Sequence, residues 1–232
     1  MEYTEKYYGQ KMYYIPNTFD LKIISEQAGY KKLFENNPKC FFELGGNKGY
    51  TSLLASTYGV NKIISFEPDP TNIKYYKQNT KNLSNVTLYE GMASHGDGEN
   101  SFYINQGKNH GLHSRVKRRG RKEITVKSYD FWKIIEKEQP DILKIDIEGG
   151  EYFLNLENKK LPASVKRIAI EIDWKGWGDL KNPKEGKPYR LYNSIKKQFP
   201  KVLKDDSKNW TQFNWSMVYI GERLWITLVL YH

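Results

Sequence analysis

The sequence predicts a doubly wound α/β fold with a mostly parallel sheet and helices on both faces. Three observations carry this. Short apolar runs, CFFEL, KIISF, DILKIDI and RIAIEI, recur along the chain and are too short for helices. Between most of them lie amphipathic stretches of helical period. A glycine-rich turn, LGGNKG, follows the first run directly, where such a sheet holds its ligand.

The elements follow in order. Residues 1–39 form an N-terminal extension whose helix, Asp20–Glu35, is stopped before Pro38. Residues 40–232 form the main domain. Cys40–Leu44 is a strand, the glycine turn follows, and Tyr50–Tyr58 is a helix. Lys62–Phe66 is the second strand and Pro70–Asn82 a helix with lysines on its outer face. Val86–Tyr89 is the third strand. Residues 94–123, rich in Gly, Asn, His and basic groups, read as a loop or irregular hairpin with a short strand at Glu123–Val126. Tyr129–Lys137 is a helix, Asp141–Ile147 the fourth strand, Glu151–Asn158 a helix, Arg167–Ile172 the fifth strand and Arg190–Phe199 a helix. Phe213–Ile220 and Leu224–Tyr231 read as two strands turning at Gly221-Glu222.

Composition bounds the function. The chain of 232 residues is 38% hydrophobic and 28% charged, as a globular protein should be. The longest apolar run, LWITLVLY, is too short for a bilayer. The N-terminus lacks the apolar core of a signal peptide. Cys40 is the single cysteine, which excludes a disulfide framework or a cysteine zinc site. A reducing, cytoplasmic setting is expected. The net charge of +10 permits an anionic partner without requiring one.

The turn Gly45-Gly46-Asn47-Lys48-Gly49 lacks the G-x-G-x-x-G spacing of dinucleotide-binding proteins. It fits acid-x-Gly-x-Asn-x-Gly instead, beginning at Glu43, with Asn47 tolerant of a left-handed backbone. Lys48 reads as solvent-facing. At the end of the second strand Glu67 supplies a carboxylate able to accept from both hydroxyls of a ribose. Two acids without a phosphate-binding lysine suit a cationic nucleoside, and S-adenosylmethionine, with its ribose, sulfonium and amino-acid tail, fits.

The blocks FELGGNKGYTSLLA, ISFEPDPTNIKYYKQN and LKIDIEGGEYFL resemble the three signature segments of FkbM-type S-adenosylmethionine-dependent methyltransferases, from about Cys40 to Ile172. Glu43, Gly46 and Lys48 depart from the usual pattern. The resemblance implies a class I, Rossmann-like fold with a seven-stranded sheet whose last strand is antiparallel. It implies S-adenosylmethionine as cofactor and O-methylation of a hydroxyl, often on a sugar of a glycan or glycoconjugate. By the same resemblance Glu43, Gly45, Asn47 and Gly49 would line the methionine side, Glu67 would hold the ribose and Ala93 with its neighbours would flank the adenine. Gly46, Tyr50, Thr51, Pro68 and Asp146 are further cofactor-binding candidates, Asp146 near the methyl group because it lies at the carboxyl end of the fourth strand.

A hydroxyl is a weak nucleophile, so a base or metal should assist. Asp146, near the end of the fourth strand, is the first candidate, followed by Glu148 and Glu151. Lys144 alternates with them and could support their charge. His110 and His113 are further candidate bases. Asp146, Glu171 and Asp173 could gather three carboxylates for Mg2+ or Mn2+; solvation or pairing with Lys and Arg is the competing expectation. Trp174 and Trp177 could stack a sugar or anchor a loop. The segment KNHGLHSRVKRRGRK, with seven basic residues and no acid, is either a solvated loop or a lid for an anionic acceptor. Two other functions stay open: RNA methylation through that segment, and non-catalytic cofactor binding.

Overall fold

The computed structural model describes residues 1–7, 9–108, 112–173, 186–205 and 216–222. Its centre is a seven-stranded sheet. In chain order the strands are β3 (Cys40–Leu44), β4 (Lys62–Glu67), β5 (Val86–Glu90), β9 (Ile142–Ile145), β10 (Arg167–Asp173), β11 (Lys201–Asp205) and β12 (Ser216–Glu222). Their spatial order is β11-β12-β10-β9-β3-β4-β5, with β12 antiparallel to both neighbours and β3, β4, β5, β9 and β10 parallel. The order reverses at β3 and β9, so the ligand crevice is expected beyond the carboxyl ends of these two strands.

The central strands are continuous apolar runs because helices cover both faces. Phe42, Leu44, Phe66, Leu143, Ile145 and Ile170 pack on one side with Phe131, Trp132 and Ile135 of α4 (Phe131–Glu138). Phe41, Ile63, Ile142 and Ala169 pack on the other side with Leu54 and Ala55 of α2 (Tyr50–Thr57). The helix α3 (Pro70–Thr80) starts where Asp69 caps it, accepting from the Asn72 amide at 2.7 Å, with Pro70 in the first turn. No helix among the described residues is long and apolar enough to cross a membrane.

Several expectations are corrected. The N-terminal extension carries a two-stranded ribbon, β1 (Glu2–Thr4) with β2 (Met12–Tyr14), and its helix is split. The α-helix α1 spans Asp20–Glu26 and continues as a 3-10 turn over Gln27–Leu33. The hairpin alternative read for residues 94–123 holds, with longer strands than the one expected at Glu123–Val126: β7 (Gly98–Asn105) pairs antiparallel with β8 (Arg121–Asp130), and β8 also pairs with β6 (Met92–Ser94). Polar outward-facing residues on β7 and β8 mask their alternation. The helix expected at Glu151–Asn158 is one 3-10 turn, Gly150–Phe153. Gly221 and Glu222 are not a turn. Gly221 sits inside β12 opposite Ile168 and Val202, and the hairpin partner is β11, which the sequence reading passed over. The strand expected at Leu224–Tyr231 lies outside the described residues.

Candidate active site

A cavity of about 650 Å3 opens at the carboxyl ends of β3, β4 and β9, within the size range of small-molecule sites. It has three regions, each positioned by a different strand end.

The first region is the glycine turn. Gly45, Asn47 and Gly49 have φ of +85°, +48° and +80°. The Gly45 and Gly46 amides both donate to the Phe66 carbonyl, at 3.1 and 2.9 Å, which holds the turn against β4. A Cβ on Gly45 would fall 2.0 Å from the Asp146 carbonyl oxygen. The turn is therefore wedged between β4 and the end of β9, and a side chain at Gly45 would push it out. Gly45, Gly46, Asn47, Tyr50 and Thr51 line the cavity; Glu43 and Gly49 do not.

Glu43 lies behind the turn, fully buried. Its Oε2 accepts from the Ser52 and Ser65 hydroxyls at 2.9 Å each, and its Oε1 is 3.6 Å from Lys144 Nζ. It supports the turn from beneath. Lys48 is also fully buried and does not face solvent. Its Nζ is 3.0 Å from Asp20 Oδ1 and 3.4 Å from Asn47 Oδ1. The turn is thus tied to α1.

The second region surrounds Glu67. Its Oε2 accepts from the Asn47 amide at 2.7 Å, and its Oε1 accepts from the Asp69 amide at 2.9 Å and from Asn72 Nδ2 at 3.4 Å. Burial pushes its carboxyl up to about 8, against these donors, which favour the charged form. Pro68, Ala93, Met92, Phe102 and His113 continue the wall, giving one carboxylate beside a mostly apolar slot. A ribose diol at Glu67 with a flat base against Ala93 and Phe102 suits this pairing of groups.

His113 was expected as a base, but its geometry makes it a donor. Nδ1 accepts from the Asn105 amide at 2.9 Å, so the neutral ring carries its proton on Nε2, 3.8 Å from Asp69 Oδ2. It also lies in the Glu67 region, whereas Asp146 belongs to the third.

The third region holds Asp146, Glu148 and Glu171 with Lys144 and Tyr30. Lys144 is almost completely buried, 3.3 Å from Asp146 Oδ2 and 3.4 Å from the Gly45 carbonyl. Burial opposes its charge, yet Asp146 and Glu43 outweigh it and raise its pKa. Glu148 has φ of +53° and precedes Gly149 at +95°, a left-handed pair that is costly for a glutamate. Burial, then the charges of Asp146, Glu171 and Asp173, push its carboxyl well above the ordinary value. Glu151 is not in this wall. It accepts from the Gly149 amide at 2.9 Å and the Asp173 amide at 2.7 Å, tying the turn after β9 to the end of β10.

The metal expectation is corrected. Among the described residues no group of three or more His, Cys, Asp or Glu side chains could hold an ion. Of the three carboxylates proposed, Asp146 pairs with Lys144 and Asp173 with Arg118. The arginine comes from the basic segment, which is not simply a solvated loop. Arg115 lines the cavity, donating to Ser94 Oγ at 2.9 Å with its guanidinium over Phe153. Ser114 is buried and donates to the Glu148 carbonyl at 2.6 Å. His110, Trp174 and Trp177 lie outside the described residues.

These features belong to a known family. The FkbM methyltransferase domain model matches residues 43–175, more than half of the chain. The chain belongs to the FkbM methyltransferase family. It is accordingly an S-adenosylmethionine-dependent methyltransferase, and its cavity joins a buried carboxylate at Glu67, a glycine turn and acids at the far end. No curated protein sequence matches the chain significantly. Among solved structures it is similar to Trm5b from Pyrococcus abyssi, with 13% identity over 94% of this chain and 54% of that one, at a TM-score of 0.51. The chain thus spans about half of that protein. It is also similar to the C-terminal domain of precorrin-6Y C5,15-methyltransferase from Rhodobacter capsulatus, with 11% identity over 86% of this chain and 89% of that one, at a TM-score of 0.46. The likeness to Trm5b, at 13% identity, is one of fold alone.

Sequence reasoning placed the family's three blocks but missed Tyr30, Arg115 and the Lys48–Asp20 pair. Tyr30 and Asp20 lie outside the matched region and carry no local motif. Arg115 was hidden among seven basic residues of which it is one.

Proposed function

We propose that the protein transfers the methyl group of S-adenosylmethionine to a hydroxyl of a sugar in a glycan or glycoconjugate. The observation that carries this reading is the division of one cavity into a nucleoside region at Glu67 and an acidic region at Asp146 and Glu148. Bound there, the cofactor supplies an electrophilic methyl on a sulfonium. The glycine turn and Asn47 hold its amino-acid end, Glu67 accepts from the ribose hydroxyls, and Ala93 and Phe102 flank the base. The chain's remaining task is to orient an acceptor hydroxyl and take its proton. Asp146 is paired with Lys144 at 3.3 Å and directs the hydroxyl. Glu148, whose carboxyl has a raised pKa, is the stronger base once ionised and accepts the proton.

The RNA reading gains no specific support. Arg115 and Arg118 of the basic segment turn inward to Ser94, Asn100 and Asp173 rather than forming an outward phosphate track. The test is transfer of labelled methyl from S-adenosylmethionine to cell-derived glycans and, in parallel, to RNA. The Asp146→Ala variant should bind the cofactor and lose transfer to glycans. Label that enters RNA alone would overturn the acceptor assignment.

A further inference from the structure

Lys48 departs from the apolar residue usual at its place in the family block, and it is fully buried beside Asp20, also fully buried. A lysine ammonium has three donors and no acceptor. Its contact with Asn47 Oδ1 at 3.4 Å therefore fixes which way the Asn47 amide points. The oxygen faces Lys48, and the NH2 is the group left to a ligand, since Asn47 lines the cavity. The ammonium is itself held by Asp20 Oδ1 at 3.0 Å, while Asp20 Oδ2 accepts from the Ile15 amide at 2.8 Å and the Tyr50 hydroxyl at 3.4 Å. Asn79 closes the same junction, accepting from the Tyr13 amide at 2.6 Å and donating to the Lys48 carbonyl at 2.6 Å. The extension and the glycine turn are one hydrogen-bonded unit.

We infer that Asp20 and Lys48 are positioning residues for the methyl donor. Through them the N-terminal extension sets the Asn47 amide as a hydrogen-bond donor to the carboxylate of the cofactor's amino-acid tail. This rests on the reading of the cavity as an S-adenosylmethionine site. It goes beyond that reading by making donor recognition depend on a segment outside the family's matched region, through a pair that touches no ligand.

The experiment compares two probes by calorimetry: S-adenosylhomocysteine, which has the amino-acid tail, and 5′-methylthioadenosine, which lacks it. The variants are the double Asp20→Asn/Lys48→Met, Asn47→Gly, and the triple. The double variant removes both buried charges together, which buried pairs tolerate far better than loss of one. Asn47→Gly keeps the left-handed backbone and removes the amide. The double variant and Asn47→Gly should each weaken S-adenosylhomocysteine about ten- to hundredfold, the loss of one hydrogen bond to a charged group. Each should leave 5′-methylthioadenosine within about twofold, and the triple should be no weaker than Asn47→Gly, because coupled residues are not additive. A purely structural role would weaken both probes together, and that result overturns the inference, as does full additivity in the triple or unchanged S-adenosylhomocysteine binding in the double. If wild type binds neither probe, the cofactor reading itself fails, and the inference with it.

Discussion

Glu67→Gln tests the cofactor role of this residue, with its place in the fold read alongside. Two of the carboxylate's roughly four acceptor positions are taken by short backbone N–H bonds, and a third faces Asn72 at 3.4 Å. About one position remains toward the cavity, where a ribose hydroxyl can donate, and a second opens if the other hydroxyl displaces the long Asn72 contact. Glutamine keeps the shape but puts an NH2 in place of one oxygen. One hydroxyl then loses a charge-assisted bond worth about 1.5–3 kcal/mol, or about ten- to 150-fold in affinity. The same NH2 replaces an oxygen that accepts from the Asn47 or the Asp69 amide, so the variant also loses one buried backbone bond and about 1–3 kcal/mol of stability. The sign in pH follows. Ribose hydroxyls favour the carboxylate, so wild-type affinity for S-adenosylhomocysteine should rise toward pH 8, by up to about tenfold per unit, and level off above it. The native state also holds this proton more tightly than the unfolded chain does. The group's contribution to stability is therefore fullest below its ordinary value of 4.5 and declines as pH rises to about 8. In Glu67→Gln both dependences should vanish. Calorimetric titration from pH 6 to 9, with thermal melts alongside, reads them. A variant that binds within twofold of wild type, or a wild type whose affinity is flat over this range, would refute the ribose assignment.

Three other outcomes are expected. Gly45→Ala must place a methyl 2.0 Å from the Asp146 carbonyl at a φ of +85°, so left-handed strain and overpacking together cost about 2–5 kcal/mol; a melt within 2 °C of wild type with intact cofactor binding would show that the turn has slack. Glu148→Gln should abolish the rise of kcat with pH while leaving the affinity for S-adenosylhomocysteine nearly unchanged, because burial and three acids raise the Glu148 carboxyl; a pH profile identical to wild type would assign the proton to another group. Asp141 accepts from the Lys39 and Cys40 amides at 2.8 and 2.7 Å and so anchors the start of β3. Asp141→Ala should cost about 2–3 kcal/mol, a fall of about 5–10 °C in melting temperature, without altering cofactor affinity per folded molecule.

Much of the cavity wall was legible because its signals are local. Gly45, Asn47 and Glu67 stand at fixed places after apolar strands, and strand, turn and acid can be read together. The central strands were legible for the same reason, since burial on both faces leaves continuous apolar runs. The hairpin of β7 and β8 was legible only as a loop or irregular hairpin with one short strand, because one face is wet and the polar residues hide its alternation. The turn read at Gly221-Glu222 failed because glycine signals a turn only when tertiary pairing does not claim it, and β10 and β11 claim this one. Lys48 looked exposed because lysine almost always is. Its partner lies 28 residues earlier in a helix that carries no motif, and only the fold brings them together. His113 was read from residue type alone, and the Asn105 amide that occupies its lone pair could not be seen without coordinates.

The most direct measurement of the central claim is the chemical form of the product. Wild-type protein incubated with methyl-labelled S-adenosylmethionine and a cell-derived glycan fraction should yield label that survives base and is released by acid hydrolysis on a monosaccharide, as a methyl ether. Asp146→Ala should give none under the same conditions. Label recovered on nucleotides, or no transfer from a protein that binds the cofactor, would contradict the account.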